Sequence, residues 1–211
     1  MTWSIKNNAN DMPLTRPTSI QAAIARLEEG NQRFVDERPG AHTPREIHKD
    51  LAQGQTPFAV ILGCSDSRVP VETIFDELPG NLFVVRVAGN IVDDGGLASI
   101  EYAVEYLNSM LIVVLGHTGC GAVTASLQQI ANKTTFPGHI KKLANAIAPA
   151  IVETEDPDHD KWLAAAVRRN VEESVSDLQQ QSMLLHAAVD CGKIGIAGAV
   201  YDLHTGRVTF L

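Results

Sequence analysis

Unbroken apolar runs alternate with stretches of helical periodicity through the middle of the chain. Three runs are short, rich in β-branched residues and nearly free of polar positions, as buried parallel strands are. These runs occupy residues 58–62, 82–87 and 111–115. Between the last two, Ile100, Val104 and Leu107 recur on one helical stripe. The alternation of strand and helix predicts an α/β fold in which helices flank a mostly parallel central sheet.

The residues before the first strand predict a helix of their own. Ile20, Ile24 and Leu27 follow helical spacing, and Thr18 with Gln21 has the spacing of a capping box at the start of that helix. The segment that follows is polar and rich in turn-forming residues, and it favours at most a short helix near residues 44–53.

Helical periodicity returns after the third strand. The predicted elements are helices over residues 123–130, 137–152 and 167–178 and strands over residues 194–202 and 208–211. The acidic stretch ETEDPDHD is predicted to be a loop between two of these helices, and a turn at residues 204–206 is predicted to join the closing strands.

Net charge, hydropathy and cysteine count indicate which kind of partner and which compartment to expect. The 211 residues include 17 Lys and Arg against 25 Asp and Glu, and this net charge of −8 disfavours nucleic acid or an anionic membrane as the main partner. No apolar stretch is long enough to span a bilayer, and the first residues lack the order of a secretory leader. Three cysteines, an odd number, argue against a disulfide framework. We therefore expect one domain over residues 1–211, in the cytoplasm, with a small-molecule partner.

Metal-binding residue types follow two of the predicted strands. One glycine separates Cys64 from the first strand and His117 from the third, and Cys120 follows His117 by three residues. The carboxyl ends of neighbouring parallel strands meet at one edge of the sheet, so these side chains are expected to converge. Two thiolates and an imidazole suit tetrahedral Zn²⁺, with a fourth position left for water as in catalytic sites. A structural zinc site, or buried thiols near a core histidine, is the alternative.

Asp66 and Arg68 alternate with Cys64 along the same extended segment, so all three side chains are expected to face one crevice. If Arg68 pairs with Asp66, the carboxylate stays ionised and can orient a zinc-bound hydroxide. If that pair opens, Asp66 can occupy the fourth zinc position and close the site. An ion pair that only anchors the loop is the alternative. Gly121, which follows Cys120, is expected to offer its N–H to an anionic product.

The motifs CSDSR, beginning at Cys64, and HTGC, beginning at His117, resemble those of the β-class carbonic anhydrases, as does the spacing between them. The similarity extends from the helix near Ser19 to the closing strands. It implies reversible hydration of carbon dioxide to bicarbonate and a proton by zinc-bound hydroxide. It also implies one Zn²⁺ per subunit, held by Cys64, His117 and Cys120.

The resemblance implies roles for residues outside the ligand set. Asp66 and Arg68 correspond to the family's catalytic dyad. Gln55, Phe83 and Tyr102 correspond to residues of its substrate pocket. For Gln55 the plainer alternative is a cap at the strand entrance, and for the two aromatic residues it is packing in the core.

The same resemblance implies an assembly. Family members are built from dimers, which predicts a homodimer or a dimer-based higher oligomer. Residues 1–56 would form an N-terminal helical arm, whose helix over residues 19–35 packs on the neighbouring subunit. The family's site lies at the dimer interface, so Gln55 and Tyr102 could reach it from the other subunit.

One departure and two rival functions complete the interpretation. Family members that bicarbonate inhibits usually carry tryptophan where this chain has Ile61, so an unregulated site that is open at neutral pH is expected. The rival enzyme is a hydrolase of the same fold that acts on a molecule such as carbon disulfide. The rival outside enzymology is a catalytically silent, zinc-bound scaffold.

Overall fold

The computed structural model describes residues 15–40, 51–52 and 54–211. The short helix predicted at residues 44–53 lies largely outside the described residues. No helix within the described part of the chain is long and apolar enough to cross a membrane.

A five-stranded sheet with the order β2-β1-β3-β4-β5 forms the centre of the structure. Its strands are β1 (Ala59–Gly63), β2 (Leu82–Arg86), β3 (Leu111–His117), β4 (Gly195–Tyr201) and β5 (Val208–Phe210). The pairs β1–β2, β1–β3 and β3–β4 are parallel, and only the closing pair β4–β5 is antiparallel among these strands. The predicted α/β fold with a mostly parallel sheet is confirmed.

Helices connect the strands and cover both faces of the sheet. They are α1 (Ile20–Val35), α2 (Val71–Ile74), α3 (Asp94–Tyr106), α4 (Gly121–Ala131), α5 (Ile140–Glu153), α6 (His159–Gln181) and α7 (Met183–Asp190), with a 3₁₀ turn at Ala88–Asn90. The sequence analysis did not predict α2 or α7. Helix α7 is separated from α6 by Ser182 alone, whose extended backbone ends one helix while its hydroxyl accepts the Leu185 N–H of the next.

The start of α1 lies one residue later than the capping box predicts. Ser19, with φ −148° and ψ 161°, is the N-cap, and its hydroxyl oxygen accepts the N–H of Ala22 at 3.1 Å. The prediction that used Thr18 and Gln21 is therefore wrong, because the extended residue that ends the incoming segment is Ser19. Through Ala23 and Leu27, both fully buried, α1 packs on the core of its own chain. Packing of this arm on a neighbouring subunit stays a prediction.

The alternation of side chains along β1 and β3 divides the core between the two faces of the sheet. Ile61 and Val113 pack on the α1 side, whereas Leu62 and Val114 pack against α3, α6 and α7. All of β1 and β3 is buried, so these strands hold their carboxyl ends in fixed positions. Truncation of Ile61 to alanine, for example, is expected to cost about 2–5 kcal/mol of stability.

Candidate metal centre

Three ligand-type side chains meet at the carboxyl edge of the sheet. Cys64 directly follows β1, His117 is the last residue of β3, and Cys120 is the N-cap of α4. Because β1 and β3 are neighbours in the sheet, residues 53 positions apart in the sequence become adjacent in space. Their ligand atoms all lie within 4.8 Å of one another, and all three residues are buried. The convergence that the sequence predicts is present.

The orientation of His117 leaves one ring nitrogen available. Its Nδ1 lies 3.0 Å from the carbonyl oxygen of Thr118, which can only accept, so Nδ1 carries the hydrogen and Nε2 the lone pair. Nε2 is buried and has no hydrogen-bond partner among the described residues. Leaving a buried polar atom unpaired costs free energy, and a metal ion is the partner that this arrangement suits.

The two thiols form a coupled pair. Their sulfur atoms are 4.0 Å apart. The pKa of Cys64 is lowered, first because its sulfur accepts from the Cys120 thiol and also because the Gly89 N–H donates to it. The pKa of Cys120 is raised, because its thiol is the donor in that pair and because it is buried. Cys64 is therefore the thiol of the pair that ionises more easily.

The position of Cys120 at the start of α4 has opposing effects on its pKa. The N–H groups of Ala122 and Val123 do lower the pKa of Cys120, as the helix dipole predicts. Burial and the neighbouring Cys64 sulfur raise the pKa of Cys120, and their effect is larger than that of these two N–H groups. The turn that leads to this helix needs glycine at Gly119, where φ is +63°, a value that other L-residues rarely adopt.

Asp66 and Arg68 form the ion pair that their spacing suggests. The Arg68 guanidinium donates to both carboxylate oxygens, at 2.9 and 2.7 Å, and the Arg68 backbone N–H adds a third bond at 2.9 Å. These bonds hold the pKa of Asp66 well below its usual range, while the carboxylate raises the pKa of Arg68. One Asp66 oxygen lies 3.9 Å from His117 Nε2. An ionised carboxylate therefore borders the ligand set.

Sequence reasoning missed Arg86 as part of this site. Its Nε donates to the Cys64 carbonyl at 2.9 Å and its Nη2 to the Asp66 carbonyl at 2.5 Å, so one side chain holds the loop that bears both residues. The available signal was the lone charge in the apolar run LFVVRV, near the carboxyl end of the predicted strand.

The predicted substrate-pocket residues are not brought to the ligands within this chain. Gln55 is exposed and precedes the amino end of β1, whereas Cys64 follows its carboxyl end. Phe83 pairs in register with Val60, four residues before Cys64, which corresponds to about 13 Å along a strand. Tyr102 is 49% exposed on α3, and its ring lies 6.5 Å from that of Phe83. The role of these three residues in the substrate pocket stays a prediction.

Gly121 differs from those three residues in position. It is the exposed first residue of α4, directly after Cys120. A Cβ at this position would meet no atom within 4 Å, so packing among the described residues does not require glycine here. Its role toward an anionic product stays a prediction.

The architecture and the ligand set match known proteins. A family model described as carbonic anhydrase matches residues 59–208. The chain is 42% identical to carbonic anhydrase 2 of Mycobacterium tuberculosis over 197 residues, 93% of each chain. It is 38% identical to the carbonic anhydrase of Mycolicibacterium smegmatis, over 93% of this chain and 94% of the relative.

Solved structures give the same result. A Coccomyxa β-carbonic anhydrase in complex with acetazolamide superposes with a TM-score of 0.72 at 28% identity, over 92% of this chain and 87% of that one. A tetrameric β-carbonic anhydrase from the ascomycete Sordaria macrospora gives 0.73 at 26% identity, over 90% and 96%. The chain therefore belongs to the β-class carbonic anhydrases, the enzymes that interconvert carbon dioxide and bicarbonate.

Proposed function

We propose that this carbonic anhydrase works with one Zn²⁺ per subunit, held by Cys64, His117 and Cys120. The observation that carries the proposal is the buried, unpartnered Nε2 of His117 within 4.8 Å of two cysteine sulfurs. Two sulfurs and one imidazole nitrogen are the donors that tetrahedral Zn²⁺ prefers, and three protein ligands leave one position open. When bound, Zn²⁺ supplies a water molecule acidic enough to attack carbon dioxide near neutral pH.

Asp66 is proposed to orient the attacking water. Its carboxylate is ionised and can only accept hydrogen bonds, so it fixes the water through a proton and leaves an oxygen lone pair directed at carbon dioxide. Arg68 keeps Asp66 in this role, because three donors from Arg68 occupy its oxygens and oppose its movement onto the metal. The pair supports the expectation of an open site at neutral pH.

The substrate pocket is proposed to require a second copy of the chain. Phe83 pairs with Val60 near the amino end of β1, and the stacked rings of Tyr102 and Tyr106 are 49% and 72% exposed. An exposed patch of this kind is typical of an interface. In a homodimer, Gln55, Phe83 and Tyr102 would line the neighbour's pocket.

The same site suggests a role for Gly121 and a cellular compartment. Gly121 would offer its N–H, one of the free amides at the start of α4, to bicarbonate. The metal centre needs Cys64 and Cys120 as thiols, and no disulfide links them. We propose the cytoplasm as its compartment, because a reducing environment keeps thiols in this form.

The test measures zinc content and stopped-flow hydration of carbon dioxide for the wild type and Asp66→Asn. The variant keeps the shape of the side chain and its neighbours but weakens the acceptor. We expect one zinc per chain in both proteins and a loss of about 10²-fold in kcat for the variant. A wild type that holds zinc but does not accelerate hydration, or a variant with full kcat, would contradict the proposal.

A further inference from the structure

The sulfur of Cys64 receives a hydrogen bond from a strained turn. The Gly89 N–H donates to it at 3.3 Å. Gly89 has φ +70°, and a Cβ there would lie 2.7 Å from the Ile147 side chain, so both the conformation and the space require glycine. The direction of this N–H depends on how the 3₁₀ turn at Ala88–Asn90 is held.

Helix α6 holds that turn through two buried side chains. Asn170 Nδ2 donates to the Gly89 carbonyl at 2.8 Å, and Ser174 Oγ donates to the Asn90 carbonyl at 3.1 Å. The two residues are four positions apart and lie on the same face of α6. Each is only 3% exposed. One rigid helix therefore fixes two consecutive carbonyls of the turn.

A continuous path connects α6 to the metal-binding sulfur. Asn170 holds the Gly89 carbonyl, which belongs to the peptide group after the Gly89 Cα, whereas the Gly89 N–H belongs to the peptide group before it. Only the φ and ψ rotations of Gly89 separate the two groups, and the space around this residue is confined by Ile147, so the bond from Asn170 restrains the direction of the N–H. That N–H withdraws electron density from the Cys64 sulfur and holds it in place. Hydrogen bonds of this kind orient metal ligands and tune their donor strength.

We propose that Asn170 is a positioning residue of the metal centre, which acts through Gly89 on the Cys64 sulfur, with Ser174 as its partner. The inference rests on the metal site proposed above and extends it to a helix that contributes no ligand. The alternative is a purely structural role, in which the hydrogen bonds from Asn170 and Ser174 only stabilise the packing of α6 on the turn.

The test compares zinc affinity in Asn170→Leu and Ser126→Ala. Leucine has the same number and branching of side-chain heavy atoms as asparagine, with a somewhat larger volume, and cannot donate. Ser126 is the matched control, because it is also fully buried and donates to a backbone carbonyl, that of Ala144, with no bond to the metal ligands. In competition with a chromophoric chelator, Asn170→Leu should bind zinc about 10-fold more weakly, while Ser126→Ala stays within about twofold of the wild type.

Cobalt substitution separates positioning from folding. Without the Gly89 hydrogen bond the Cys64 sulfur is more electron-rich, so the sulfur-to-cobalt charge-transfer band should move to longer wavelength in Asn170→Leu. Ser174→Ala should shift the band in the same direction by less, and it carries the test if Asn170→Leu does not fold. A folded variant with lower Tm but wild-type zinc affinity and cobalt spectrum would overturn the role of Asn170.

The wild type in the same titrations distinguishes the two proposals. A wild type that binds neither zinc nor cobalt overturns the metal site, and the positioning role with it. A wild type that binds both ions, with variants that bind them equally well, overturns the positioning role alone.

Discussion

The carboxyl edge and the amino edge of the parallel strands differ in how complete they are within one chain. At the carboxyl edge, Cys64, His117 and Cys120 are buried and already within 4.8 Å of one another. Toward the amino edge, Gln55 and Tyr102 are exposed. The comparison teaches that the topology of a single chain brings the candidate metal ligands together, whereas the exposed residues leave room for a contribution from a second subunit, as proposed above.

The largest effect is expected from a substitution among the candidate ligands at the carboxyl edge. Cys120→Ser should abolish stable zinc binding and reduce hydration of carbon dioxide to the background rate, because an alcohol is a poor zinc ligand. Metal analysis and stopped-flow kinetics measure both quantities. Cys191→Ser, which alters an exposed thiol, is the control and should match the wild type. Full activity in Cys120→Ser would show that the ligand set is different.

Subunit complementation tests the proposed pocket residues toward the amino edge. The double variant Gln55→Ala and Tyr102→Ala should lose about 10- to 100-fold in kcat/KM, because it lacks a polar contact and an apolar wall. The double variant is then mixed in equal amounts with the inactive Cys120→Ser chain, and the mixture is unfolded and refolded. If dimers form at random, about half are mixed, and each mixed dimer has one site with intact ligands and intact pocket residues, so about a quarter of all sites should be active. No recovery, despite proven mixed dimers, would show that each pocket belongs to one chain.

A smaller effect is expected from Arg86 of β2, which holds the loop after β1 that bears Cys64 and Asp66. Arg86→Leu removes the donors to the Cys64 and Asp66 carbonyls, so the ligand loop should loosen and zinc should bind about 10-fold more weakly. Chelator competition measures this change. Arg168→Leu is the control, because Arg168 pairs with Glu172 on the surface of α6. Equal zinc affinity in the Arg86 variant and the wild type would rule out this support.

The smallest expected effect concerns the turn after β4. The N–H groups of Thr205 and His204 donate to Asp202 and lower its pKa. The charged form is thus favoured by folding, so its stabilisation is present above the unfolded pKa near 4 and is lost as pH falls through the folded pKa. Asp202→Asn should therefore be less stable than the wild type at pH 7, by under about 1 kcal/mol.

Urea unfolding of both proteins at pH 7 and at pH 3 checks this prediction. The difference in the free energy of unfolding should shrink at pH 3, which lies below the unfolded pKa, because the carboxyl group takes up a proton when the chain unfolds there. A difference that stays constant, or that grows toward acid, would contradict the assigned pKa direction.

Local patterns explain what the sequence predicts well. Apolar runs identify β1, β2 and β3, and the positions of Cys64 and His117 directly after two of them predict the metal centre. These features depend on neighbours in the sequence and on the general rule that parallel strands align their carboxyl ends. The family resemblance adds the identity of the reaction.

Features that depend on tertiary contacts could not be predicted from local sequence patterns. Nothing near Arg86 in the sequence shows that its side chain reaches the carbonyls of Cys64 and Asp66. Ser182 ends α6 and starts α7 while it also donates to Glu101, which is distant in the sequence. If the pocket residues act across a dimer, as proposed, no pattern within one chain can show which ligands they face.

The most direct measurement of the central claim is zinc K-edge X-ray absorption on the wild type and Cys120→Ser. The wild type should show two sulfur ligands at about 2.3 Å and lighter ligands, including one imidazole, at about 2.0–2.1 Å. Any zinc that Cys120→Ser retains should have one sulfur ligand. A wild-type spectrum without two sulfurs, or no zinc bound, would contradict a catalytic metal centre built from Cys64, His117 and Cys120.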